Sequence, residues 1–140
     1  MSQDNCIFCS IVAGTAPARK LAENDTTIAF LDIFPLTRGH ALVIPKRHAR
    51  DLFEVPADDL AAVALMSQQV AAAAMSGLAA EGVNLLQANG AVAYQTVFHF
   101  HVHVLPRYRG DGFKVELNRH PGDGADMDAV ADRYRHGLAG

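Results

Sequence analysis

Cysteine occurs only twice in the 140 residues, at Cys6 and Cys9. Long apolar runs are missing: no stretch approaches the roughly 18 residues needed to span a bilayer. Neither sign of charge dominates, and the net charge of -3 gives no electrostatic reason for a broad nucleic-acid surface. The opening Met1-Ser2-Gln3-Asp4-Asn5 lacks the basic-then-apolar order of a signal peptide. A cytoplasmic protein is therefore expected, with no membrane and no nucleic acid as partner. In that reducing compartment the two cysteines do not form a structural disulfide. The sequon Asn24-Asp25-Thr26 reads as chance without a secretory signal. There is no internal repeat and no low-complexity linker, so one domain over 1–140 is expected.

What is present is half apolar and 19% charged, the composition of a soluble globular chain with one core. The cysteines are spaced C-x-x-C. A redox pair of that spacing needs a preceding strand, and only five residues precede Cys6. Half of a zinc site and two ordinary buried cysteines both fit, and spacing alone does not separate them.

The densest chemistry lies in Gln95-Thr96-Val97-Phe98-His99-Phe100-His101-Val102-His103-Val104-Leu105-Pro106-Arg107. Its period of two predicts a strand over 98–105. His99, His101 and His103 then share one face, about 6.6 Å apart in sequence order, and Phe98, Phe100, Val102 and Val104 share the other. The apolar side belongs on a core. A row of imidazoles is costly to bury without partners, and each ring titrates near neutral pH. Either neighbouring rings take one metal, or the three do different work along a line.

The rest of the chain supplies a frame. Cys6 to Ala13 predicts one or two helical turns, stopped by Gly14 to Pro17. Strands are predicted over 19–23, 26–31, 40–45 and 83–88, with a turn at Asn24-Asp25. Pro56 opens the clearest helix, whose Leu60, Val63, Ala64, Ser67, Val70, Ala71, Ala74 and Leu78 recur at three and four. It is expected to end near Ala80, with Gly82 just beyond. A last short helix is predicted over 126–136, capped by Asp126. The order β-β-β-α-β-β predicts an α+β fold with a five-stranded antiparallel sheet, one long helix and short flanking helices.

With Cys6-x-x-Cys9, Gly39-His40-Ala-Leu-Val-Ile-Pro-Lys-Arg-His48 and Gln95-Thr-Val-Phe-His-Phe-His-Val-His-Val-Leu-Pro-Arg107 in view, the chain resembles the histidine triad (HIT) family, in particular its small Hint-like branch. The resemblance runs from about Cys6 to Arg107. It implies a purine nucleotide-binding hydrolase or transferase that cleaves a nucleoside monophosphate from a phosphoramidate or phosphoanhydride. It also implies a homodimer whose two sheets join into one of ten strands.

By that resemblance His101 is the nucleophile and His103 a phosphate-binding partner. Asn89 and Thr96 match polar groups around the phosphate, and Gln95 the residue near the leaving atom. Asp32 matches the ribose ligand. Phe8, Ile11, Phe30, Ile33 and Leu42 match the apolar base cleft, and His40 matches a histidine that supports the nucleophile. In a zinc-containing subset, Cys6, Cys9, His48 and His99 would hold a structural zinc, with no catalytic metal required. The sequence departs from the family at Tyr94, where a small residue is usual. Two other readings are a metallohydrolase with the triad histidines as ligands, and a nucleotide-sensing module with little turnover.

Overall fold

The computed structural model describes residues 5–140. The reading of Met1–Asp4 as part of a leaderless start lies outside the described residues. Helix α1 covers Ile7–Ala13. Strands β1 (Lys20–Glu23), β2 (Thr27–Leu31) and β3 (Ala41–Pro45) follow, then helix α2 (Ala57–Gly77) and strand β4 (Gly82–Leu86). A 3₁₀ turn at Ala91–Ala93 leads to strand β5 (Val102–Arg107), and helix α3 (Gly124–Ala139) closes the chain. The five strands form one antiparallel sheet in the order β1-β2-β3-β5-β4. The predicted α+β class and the antiparallel sheet are as observed.

Local chemistry explains the elements. Cys6 caps α1, its sulfur accepting from the Cys9 amide at 3.3 Å. Gly14 ends that helix at φ 79°, a left-handed turn that costs glycine nothing. The β1–β2 hairpin turns on Asn24, whose Oδ1 accepts from both the Thr26 and Thr27 amides. Against the expectation that no stretch approaches a membrane span, helix α2 has the length and composition of one, and it buries Val63, Met66 and Ala74. Val63 and Met66 meet Ala29, Ala41, Val43, Phe100 and Val104 in one core. A second cluster, Cys6, Phe8, Ile28, Phe30, Leu42 and Ile44, fills the opposite face under α1.

Several boundaries differ from expectation for physical reasons. The histidine-bearing strand enters the ladder only at Val102, not at Phe98. Upstream, the Phe100 amide donates to the Ala49 carbonyl at 2.7 Å, so the chain is extended but bonded to the segment after β3. Pro106 lies inside β5, opposite Val83, and does not close it. Pro56 is the N-cap of α2 and not its first helical residue, and the turn out of the helix uses Ala79 at φ 55° while Gly82 already belongs to β4. Helix α3 is longer than predicted and is capped by Asp123, which accepts from the Asp126 amide at 3.0 Å. All its residues except Ala131 are exposed. Strand β4 is an edge of the sheet, with Leu85 and Leu86 exposed.

Candidate functional site

Despite its late entry into the sheet, the stretch from His99 to Val104 keeps its alternation. Phe100 and Val104 face α2. The three imidazoles face α1, where the Phe8 ring stands edge-on to His99 and His101, with centroids 5.9 and 5.2 Å away. Adjacent registers place Leu42 of β3 and Leu86 of β4 on either side of His103.

Each ring has a main-chain or histidine partner that fixes its proton. Carbonyl oxygens only accept, so a ring nitrogen facing one must carry hydrogen. His99 donates through Nε2 to the Pro45 carbonyl at 2.8 Å, which leaves its Nδ1 lone pair free. His101 donates through Nδ1 to the His99 carbonyl at 2.7 Å, which leaves Nε2 as the bare nitrogen. His40 accepts at Nδ1 from the Leu36 amide at 3.1 Å, so its proton sits on Nε2, 2.9 Å from His103 Nδ1. Burial keeps the whole set neutral. It pushes His99 and His103 down to about 4, and holds His40 and His101 below the ordinary histidine range.

The free nitrogens therefore point to different places. His99 Nδ1 lies 3.4 Å from the Cys6 sulfur and 3.5 Å from that of Cys9. His48 Nδ1 lies 3.3 Å from Cys9. The four donor atoms all fall within 4.8 Å of one another. Two sulfurs and two imidazole nitrogens, with the second nitrogen of His99 tied to a carbonyl, form a donor set suited to a closed tetrahedral zinc site. Burial, then Cys6, pushes the Cys9 thiol up to about 12. A thiol so held keeps its proton until a cation displaces it. The reading in which the triad histidines jointly ligate a catalytic metal does not match this geometry, because their lone pairs diverge.

His101 and His103 border a cleft of about 490 Å³. Thr96 and Asp32 supply further polar groups along it, and Phe8, Ile11, Phe30, Ile33 and Leu42 supply apolar wall. All these residues were singled out in the sequence. Three others were not brought to the cleft. Gln95 is buried, with Oε1 accepting from the Gly90 amide and Nε2 donating to the Arg50 and Val97 carbonyls. Asn89 accepts from the Leu52 amide at 2.8 Å and so joins two loops. His40 sits behind His103. Sequence reasoning missed Ala16, Pro17, Ala18 and Phe34, which also line the cleft. The first three follow α1 in a segment with no periodicity to read. Tyr94 turns outward, 89% exposed, on a left-handed backbone at φ 70°.

The chain is similar to a number of known proteins. Relatives include an uncharacterized HIT-like protein MG132 of Mycoplasma genitalium, 45% identical over 82% of this chain and 82% of its own length. An adenosine 5'-monophosphoramidase, hnt1 of Schizosaccharomyces pombe, is 44% identical over 74% of each chain. The adenylylsulfatase HINT3 of Arabidopsis thaliana is 39% identical over 78% of this chain and 55% of its own length. A HIT family protein from Bacillus anthracis superposes with a TM-score of 0.89 at 37% identity, over 97% of this chain and 99% of the other. A zinc-bound histidine triad family protein from Mycobacterium smegmatis does so with 0.76 at 41% identity, over 92% and 99%. A profile of the HIT domain matches residues 13–110, which hold the whole sheet and all three imidazoles, and the chain belongs to that family.

Proposed function

We propose that the protein cleaves nucleoside monophosphates from phosphoramidates or phosphoanhydrides, through a nucleotide carried covalently on His101. The observation that supports this best is the 2.7 Å bond from His101 Nδ1 to the His99 carbonyl. It leaves a neutral ring with one lone pair, at Nε2, in a side chain that borders the cleft. A pinned, neutral imidazole is a competent nucleophile near pH 7. The similarity to a monophosphoramidase and an adenylylsulfatase supports the substrate class.

In the first step Nε2 of His101 attacks the α-phosphorus. The bond from phosphorus to the leaving nitrogen or oxygen breaks, and the leaving group departs with that electron pair and takes up a proton. In the second step water attacks phosphorus and gives up a proton to solvent. The phosphorus–histidine bond breaks, His101 regains its lone pair, and the nucleoside monophosphate leaves with the water oxygen. Thr96 and His103 face the phosphate and Asp32 takes the ribose hydroxyls. Phe8, Ile11, Phe30, Ile33 and Leu42 enclose a purine. Stabilising the charge on the phosphoryl oxygens is then the main task of the surrounding donors. Gln95 and Asn89 act at one remove, by fixing the loop that carries Thr96.

Cys6, Cys9, His48 and His99 hold a structural zinc in this reading, and its chemistry is to join the start of α1 to the triad segment. The nucleophile itself uses its own lone pair. The protein works in the cytoplasm as a homodimer. The decisive variant is His101→Asn. Incubated with adenosine phosphoramidate, it is expected to release no AMP and to form no acid-labile nucleotide adduct, whereas the wild type does both. Full turnover by the variant would remove His101 from the mechanism.

A further inference from the structure

The loop between β2 and β3 is fixed at its feet and bare at its tip. The Asp32 amide donates to the His40 carbonyl at 3.0 Å, and the His40 amide donates to the Thr37 carbonyl at 3.1 Å. From the segment after β5, the Tyr108 hydroxyl donates to the Arg38 carbonyl at 2.8 Å. Between these anchors Ile33, Phe34, Pro35 and Leu36 are all exposed, Phe34 by 80%. A run of apolar side chains facing water marks a surface that something covers. Ile33 and Phe34 border the cleft, and the buried Phe8, Phe30 and Leu42 form its inner wall. The inner wall is dry before anything binds, whereas the rim sheds its water only when a ligand arrives. The rim is also tied to the residue proposed to take the ribose. Asp32 Oδ1 accepts from the Phe34 amide at 2.8 Å, which fixes the backbone of the aromatic relative to the carboxylate. Each carboxylate oxygen has a further lone pair, so this bond leaves Asp32 able to accept from a sugar.

We propose that Phe34 is a specificity-determining residue, whose ring lies over the outer face of the bound base and favours a two-ring purine over a one-ring pyrimidine. The inference rests on the nucleotide-binding reading above and deepens it. A ribose held on Asp32 brings its base to the turn that carries Phe34, so one turn grips both sugar and base. Stacking on an aromatic side chain needs only the π-face of the base, and it grows with the area covered. A purine offers two fused rings to Phe34, and a pyrimidine offers one. The base does not change while phosphorus changes partners, so this contact strengthens substrate and transition state alike. It is therefore felt in KM and not in kcat.

Two variants test the rim. The chain contains no tryptophan, so Phe34→Trp places a single indole there. Titration with AMP is expected to quench its fluorescence to a plateau, and CMP to need at least about ten times the concentration for the same quench. In Phe34→Ala, KM for adenosine phosphoramidate is expected to rise about tenfold, the low end of what one base–aromatic stack is worth, with kcat held within about twofold. KM for cytidine phosphoramidate is expected to rise by less than about threefold, because less of that base is covered. Equal rises in KM for the two bases overturn the proposal, as does an indole that AMP leaves unquenched. So does a Phe34→Ala protein that sediments at a lower mass than the wild type, because the loop tip would then be an interface between copies. A wild type that binds AMP but forms no nucleotide adduct refutes His101 as the nucleophile instead, and the quench still decides Phe34.

Discussion

His103 illustrates how burial and a fixed partner act together on one residue. Burial comes first, with the His101 and His40 rings adding to it, and the group is held down to about 4. Protonating it at Nδ1 would also set its new N–H against that of His40. In the unfolded chain the same ring takes a proton near 6.5. The folded value is the lower one, so the neutral ring's contribution to stability is complete above about pH 6.5 and is lost as the pH falls toward about 4. Across that window the unfolded chain binds more protons, so stability should rise with pH by up to about 1.4 kcal/mol per unit from this ring alone. Urea melts between pH 4 and pH 7 check this, with His103→Gln expected to flatten the slope. An unchanged slope in the variant would show that other groups carry the acid sensitivity.

Among the elements, α1 has the most to gain from the cysteine–histidine cluster. It has seven residues, too few for a helix to persist alone, and its cap is Cys6 itself. A zinc ion held by Cys6, Cys9, His48 and His99 would tie this helix to the segment after β3 and to the start of the triad. Cys9→Ser, or treatment with a strong chelator, is expected to lower the melting temperature by more than about 5 °C. Metal content by mass spectrometry and the thermal melt check it together; a zinc-free preparation with unaltered melting would refute it.

The strands were legible because Val, Ile, Leu and Phe gather in short runs between turn residues, and α2 because its small residues recur at three and four. The start of β5 was not. Period two reports an extended chain with two unlike faces, and Phe98 to His101 satisfies that without a neighbouring strand. The cleft was legible where a side chain has a distinctive chemistry, as at Asp32, Thr96 and the histidines. Gln95 shows the limit, since a buried amide bonded to three main-chain groups has the same letter as one aimed at substrate. The cap of α3 was misplaced by three residues because Asp123 and Asp126 both suit an N-terminus.

At the scale of the molecule, the sheet ends on one side at β4. Among the described residues its outer edge has no partner strand, and Leu85 and Leu86 are about half exposed there. An unpaired, apolar edge invites a second chain. If β4 meets its own copy, the two sheets become continuous and the protein sediments with twice the mass of one chain. Leu85→Lys is expected to return it to single-chain mass, because a charge on an edge opposes pairing. Single-chain mass for the wild type at micromolar concentration would refute the arrangement.

The protons of the imidazole row are assigned by the Pro45 carbonyl, the His99 carbonyl and the Leu36 amide. Those groups belong to the polypeptide itself and are not encoded by any particular letter, so most single-codon changes leave them in place. The walls of the groove can therefore drift, accepting another base or another departing group, while the bookkeeping of hydrogens stays as it is. Inheritance can retune what such a protein accepts without having to rediscover how it reacts.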